Sequence, residues 1–135
     1  MPKLIYSAPI FTHQIDFAGH VNNGVYLRWL EEARQLLLEG AGFSIPRLLE
    51  QGIVPILADL TIEYKAPLYL HNTMRLEMGC QEIRFASVTI VGDFYNEANR
   101  LIATSSQTAL FIDRQSHKPL RMTPEQRSQF SIYQI

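Results

Sequence analysis

The sequence predicts an α+β architecture: a five-stranded antiparallel sheet wrapped around one long central helix. Three observations carry that expectation. The apolar residues Val25, Tyr26, Leu27, Trp29, Leu30, Ala33, Leu36 and Leu37 form a stripe wider than a surface helix needs, with Arg28, Glu32 and Gln35 left for water. From about residue 56 the apolar period drops to two and keeps that value through four consecutive segments. The connections 66–73, 82–84 and 96–100 are short enough for antiparallel hairpins or meander turns. A lone helix can bury so wide a stripe only across the concave face of a curved sheet.

In chain order, residues 3–14 read as a first strand interrupted at Pro9, followed by the loop Asp16-Phe17-Ala18-Gly19-His20-Val21-Asn22-Asn23. The long helix is expected from about Gly24 to Glu39, with Asn22 or Asn23 capping its start and Gly40 just past its end. A short second helix starts at the cap Ser44, carries Pro46 in its first turn and stops at Gly52. Then Ile56, Ala58, Leu60, Ile62 and Tyr64 alternate with Leu57, Asp59, Thr61, Glu63 and Lys65, as do Met74, Leu76, Met78 and Cys80 with Arg75, Glu77 and Gln81, and Val88, Ile90, Gly92 and Phe94 with Ser87, Thr89 and Asp93. A last strand covers about Leu101 to Asp113. Thr123-Pro124-Glu125 reads as the cap and first turn of a short terminal helix.

The 135 residues, 47% of them hydrophobic, fit one domain spanning 1–135 with little room for a second. So small a domain buries a modest share of its surface, which favours association with a second subunit. A net charge of −1 argues against a general nucleic-acid binder. The single cysteine, Cys80, allows no internal disulfide and no paired-cysteine metal site, and its apolar alternation predicts a buried, inert thiol. The N-terminal MPKLIYSAPIFTH lacks the apolar run of a signal peptide, and no segment approaches the ~18 apolar residues that span a bilayer. A cytoplasmic location without membrane attachment is the expectation.

The densest chemistry lies between His13 and Tyr26. A carboxylate, a glycine, a histidine and two asparagines immediately precede a helix N-terminus. Helix-start amides are unpaired and carry positive partial charge, so they can stabilise a developing oxyanion. Asp16, on a loop able to fold back over that end, can attack an acyl carbon or activate a water. The local alternative is that Asp16 is a turn residue and Asn22 a helix cap, because Asp and Asn populate such loops for backbone reasons.

The string from Asp16 through Gly19, His20, Val21, Asn22, Asn23, Gly24, Val25 and Tyr26 to Arg34 resembles the signature of the 4-hydroxybenzoyl-CoA thioesterase family. Tyr64-Lys65-Ala66-Pro67 matches the usual end of that family's second strand, and the similarity covers nearly the whole chain. One departure is Gln14, where many relatives carry a second Asp. The resemblance implies the hotdog fold and hydrolysis of an acyl-CoA thioester without metal or redox cofactor. It implies catalytic roles for Asp16 as nucleophile or general base, for the amide near Asn23 in polarising the carbonyl, and for His20 and Asn22 in positioning water or the thioester. It further implies a homodimer or homotetramer with sites at subunit boundaries and the start of the helix, at Gly24, facing the substrate. Tyr26, Trp29, Leu57 and Phe85 are then candidates for an acyl pocket, and Lys65, Arg84 and the equally placed Arg75 for CoA phosphates. Two rival functions remain: a hotdog dehydratase of 3-hydroxyacyl thioesters, which usually has a proline-rich loop near its histidine, and a non-catalytic acyl-thioester binding protein.

Overall fold

A computed structural model describes residues 2–135. Five strands, β1 (Leu4–Pro9), β2 (Ile53–Tyr64), β3 (Thr73–Ile83), β4 (Val88–Tyr95) and β5 (Leu101–Asp113), form one antiparallel sheet in the order β1-β3-β4-β5-β2. Three helices, α1 (Asn23–Gly40), α2 (Ile45–Glu50) and α3 (Pro124–Phe130), complete the fold. The expected first strand is shorter than residues 3–14: after Pro9 the chain leaves the sheet and makes a 3-10 turn at Thr12–Gln14. Proline has no N–H for a ladder, and the sheet edge ends with it.

The period-two pattern translates directly into burial on β3 and β4. Met74, Leu76, Met78 and Cys80 are buried, and so are Val88, Ile90 and Phe94. Burial pushes the Cys80 thiol up to about 12, so it is inert at neutral pH. On β2 a bulge between Leu57 and Asp59 inserts Ala58 as an extra residue and breaks the alternation, so Ala58, expected on the inner face, is exposed.

Helix α1 has 18 residues and lays one face into the core, through Tyr26, Trp29, Leu30, Ala33 and Leu37. Spacings of three and four put these side chains on one stripe. Leu27 and Leu36, expected in that stripe, are exposed at 44% and 40%. A sheet enclosing one long central helix on most sides is therefore not what a single chain builds, because no described element of the chain reaches that outer face of α1. Gly40 also lies inside the helix, not past it, and the left-handed residue that ends the turn is Gly42, at φ +93°.

The C-terminal segment closes the open end of the fold. Phe130 of α3 packs on Phe43 and Phe111, and the tail beyond it runs along β3, where the Ile135 N–H donates to the Cys80 carbonyl at 3.0 Å. Gly79 allows that approach: a Cβ there would lie 2.6 Å from the Ile135 side chain and 3.1 Å from the Tyr133 carbonyl. β1 and β2 form the sheet edges, and the outer edge of the twelve-residue β2 is unpaired among the described residues.

Candidate active site

The loop before α1 is tightly closed. The Asp16 N–H donates to the His20 carbonyl (2.8 Å) and the Gly19 N–H to the Asp16 carbonyl (3.0 Å). Asp16 Oδ1 accepts from the amides of Ala18 (2.9 Å) and His20 (3.4 Å), an Asx turn. Gly19 sits at φ +81°, which a side chain would make costly. An antiparallel bridge between Ile15 and Val21 closes the base of the loop. The Val21 N–H donates to the Leu68 carbonyl (2.9 Å) and the Asn22 N–H to the Gln14 carbonyl (2.8 Å), so the loop is fixed to the β2–β3 connection. The Asx turn gives Asp16 the local backbone role that its place in the loop predicts. Oδ2 makes no hydrogen bond among the described residues, so the turn leaves half of the carboxylate available.

The second leg of the loop runs into α1. Asn22 is the N-cap: its Oδ1 accepts from the Gly24 amide at 2.8 Å. No hydrogen-bond partner for the Asn23 N–H is found among the described residues. The Asn23 carbonyl accepts from the Tyr64 hydroxyl at 2.9 Å, which fastens the start of α1 to the end of β2. The His20 ring meets the edge of Tyr69, with centroids 5.2 Å apart. Asp16, His20, Asn22, Asn23 and Gly24 therefore share one rigid corner of the molecule.

The other expected site residues lie elsewhere. Tyr26 and Trp29 are each 2% exposed and pack on Phe94 in an aromatic cluster that Tyr64 extends. Burial, with a smaller contribution from Tyr64, raises the Tyr26 hydroxyl well above its ordinary value. Leu57 does line a cavity, of about 250 Å³, bounded by α1, α2, β2, β4, β5 and the C-terminal segment. Its walls include Leu38, Val54, Val88, Ile90 and Phe111, with Glu31 and Arg34 of α1 as charged members. Tyr26, Trp29 and Phe85 do not line it. Tyr26 and Trp29 pack in the aromatic core, and Phe85 stands on the β3–β4 turn.

Around Phe85 the structure assembles a cationic cluster that sequence spacing did not reveal. The guanidinium carbons of Arg121 and Arg127 lie 4.3 and 4.6 Å from the Phe85 ring centre. Neither arginine makes an ion pair among the described residues, and the buried Nε of Arg127 has no hydrogen-bond partner there. Arg84 is next in the chain and pairs with Glu82 at 2.7 Å. Lys65 and Arg75 have comparable local partners, Glu63 at 3.2 Å and Glu77 at 2.9 Å. Lys65 follows the end of β2 next to the Asp16 corner, whereas Arg84 follows β3 at the opposite end of the sheet. The eleven residues of β3 separate these ends by about 35 Å.

The fold agrees with what comparison shows. The profile of the thioesterase-like superfamily matches residues 11–130, and the chain belongs to that family. YneP of Bacillus subtilis, provisionally named an acyl-CoA thioesterase, is 26% identical over 110 residues, 82% of this chain and 78% of its own. The acyl-CoA thioester hydrolase YbgC of Escherichia coli is 24% identical over 115 residues, 85% of this chain and 82% of its own. Among solved structures, the DHNA-CoA thioesterase of Staphylococcus aureus superposes with a TM-score of 0.87 at 23% identity, covering 98% of this chain and 91% of that one. A second Staphylococcus aureus protein, solved in complex with CoA, superposes at 0.91 with 11% identity, covering 98% and 84%. The architecture is thus that of the hotdog thioesterases.

Proposed function

We propose that the protein is a thioester hydrolase acting on an acyl-CoA. The observation that carries this reading is the closed Asp16 loop feeding the capped start of α1. It holds a carboxylate with one free oxygen beside helix-start amides, of which the Asn23 N–H has no partner among the described residues. That amide polarises the thioester carbonyl and stabilises the negative oxygen formed during attack. Asp16 either adds to the carbonyl carbon, expelling the CoA thiolate and leaving an anhydride that water cleaves, or takes a proton from the water that attacks. Both routes consume one water and yield a carboxylic acid and CoA. His20 and the Asn22 side chain flank the same approach and position water.

The CoA phosphates belong, on this reading, to Arg84, Arg121 and Arg127, with Phe85 offering an aromatic edge. Arg84 is already paired with Glu82, but the guanidiniums of Arg121 and Arg127 make no ion pair among the described residues and suit phosphate oxygens, and the comparison structure solved with CoA supports this ligand class. Because this cluster and Asp16 lie at opposite ends of one sheet, a complete site combines Asp16 of one subunit with the arginines of a second. The open edge of β2 and the exposed Leu27, Leu36 and Leu57 support a homodimer that covers them. The test is hydrolysis of an acyl-CoA panel, followed with a thiol-trapping dye. Release of free CoA that disappears in Asp16→Asn supports the reading. Hydration or dehydration of the acyl group without CoA release, or tight binding without turnover, overturns it.

A further inference from the structure

We propose that the cavity between α1, β2 and β5 takes the acyl group, and that Arg34 pairs there with a carboxylate at the end of the chain away from the thioester, so that the preferred substrates are carboxyacyl thioesters. The inference rests on the thioester-hydrolase reading and names its substrate class. Arg34 is a half-buried cation on the wall of a cavity of about 250 Å³ whose lining is otherwise mostly apolar. Its Nη1 donates to Oε1 of the buried Gln107 at 2.5 Å, which pins one prong of the guanidinium. Neither Nε nor Nη2 is among the buried polar atoms left without a partner, so both remain accessible beside the cavity. Arg34 makes no ion pair among the described residues. Glu31, one turn earlier on the same wall, is exposed and forms none with it. A guanidinium that has lost part of its hydration and gained no counter-ion is costly. Burial accordingly holds Arg34 below its ordinary pKa, with Glu31 raising it in part. A ligand carboxylate supplies the missing anion in a charge-assisted fit that a plain chain cannot give. Val88, Ile90 and Phe111, buried on the cavity floor, suit the methylenes between.

The open β2 edge brings the thioester of such a chain to Asp16. Antiparallel pairing of two copies about a two-fold axis at mid-strand sets the Tyr64 end of one β2 beside the Ile53 end of the other. Tyr64 is bonded to the Asn23 carbonyl, and Val54, Pro55, Ile56 and Leu57 line the cavity. The Asp16 corner of one copy therefore comes to the cavity of the second. Met122, whose N–H donates to the Phe85 carbonyl at 2.7 Å, lines the same cavity, so the cavity adjoins the arginine cluster. One subunit then holds the acyl group and the nucleotide, and the other supplies the attacking carboxylate.

The experiment measures kcat/KM for CoA release from adipoyl-, suberoyl- and sebacoyl-CoA against hexanoyl-, octanoyl- and decanoyl-CoA, so that each pair shares its carbon count. The best carboxylated chain should exceed its plain partner by roughly tenfold or more. Arg34→Gln, which keeps a donor for Gln107 but removes the charge and the fork, should abolish that ratio. Where it folds poorly, Arg34→Lys decides: the charge stays, the fork goes, and the ratio should fall several-fold. Calorimetric titration with octanoate and octanamide repeats the comparison without catalysis. Octanoate should bind more tightly, and Arg34→Gln should remove the difference. Hydrolysis with no preference for carboxylated chains, or with a preference that the Arg34 variants keep, overturns the inference and leaves the hydrolase reading standing. Arg34-dependent binding of octanoate by a protein that releases no CoA overturns the hydrolase reading and supports the anion site in the cavity.

Discussion

On the proposed mechanism, Asp16 combines two roles that substitution can separate. One carboxylate oxygen holds the turn through the amides of Ala18 and His20, and an asparagine can hold it in the same way. Asp16→Asn should therefore keep its thermal stability while kcat falls at least ~100-fold, because the amide is neither nucleophile nor base. Near-normal turnover in a folded Asp16→Asn protein excludes the carboxylate mechanism. The capping residue is separable in the opposite sense: Asn22→Ala strands the Gly24 amide and should cost about 1 kcal/mol, read by urea denaturation. Cys80 gives a pH signature. Its thiol ordinarily titrates at 9.0 but only near 12 in the fold, and Tyr6, Tyr26, Tyr64 and Tyr95 are likewise raised by burial. The unfolded chain loses these protons first, so stability is fully present below about pH 9 and falls as pH rises toward 12. Cys80→Ala should shallow that decline, measured as denaturation midpoint against pH.

At the scale of elements, α1 is held by packing more than by its own propensity. The side chains of Leu30 and Leu37 are fully buried, and Trp29 sits against Phe94. Leu30→Ala should cost about 2–5 kcal/mol, since the rigid sheet beneath cannot collapse into the cavity left. The C-terminal tail depends on Gly79 in a comparable way. Gly79→Ala should displace Ile135 and shift the tail, which hydrogen exchange at the Ile135 amide would register as lost protection. The helix start is tied to β2 by Tyr64, so the Asp16 corner inherits its position from the sheet.

At the scale of the molecule, the proposed site requires assembly to bridge the distance between Asp16 and the Phe85 cluster. Arg121→Ala and Arg127→Ala should raise KM for acyl-CoA and leave kcat nearly unchanged. A short acyl-N-acetylcysteamine substrate, which lacks the nucleotide, should not respond. Equal effects on both substrates would assign these arginines to the fold. Mixing gives a sharper measurement. Co-refolding equal amounts of Asp16→Asn protein and Arg121→Ala/Arg127→Ala protein puts about half the molecules in mixed dimers with one intact site of two, so kcat/KM should recover to about a quarter of wild type. Sites complete within one chain would give only the average of the two parents.

Much of the sheet was legible because each strand has one buried face, and burial of one face imposes a period of two. Met74 to Cys80 and Val88 to Phe94 carry that pattern without interruption, and the Asp16–Tyr26 string is contiguous, so its corner could be read without coordinates. The bulge at Leu57, the early end of β1 and the exposed outer face of α1 were not legible, since each depends on which neighbour is present or missing. Arg121 and Arg127 meet Phe85 across more than thirty residues of chain, and Arg34 meets Gln107 across seventy-three. The only local traces were a charge inside an apolar helix stripe and a glutamine on the inner face of a strand. Local sequence thus determined the elements and the Asp16 corner, because backbone propensity and side-chain period act over a few residues. Which cations cluster at Phe85 and which helix cation meets the buried Gln107 were decided by tertiary structure, because those contacts join residues that only the folded sheet brings together.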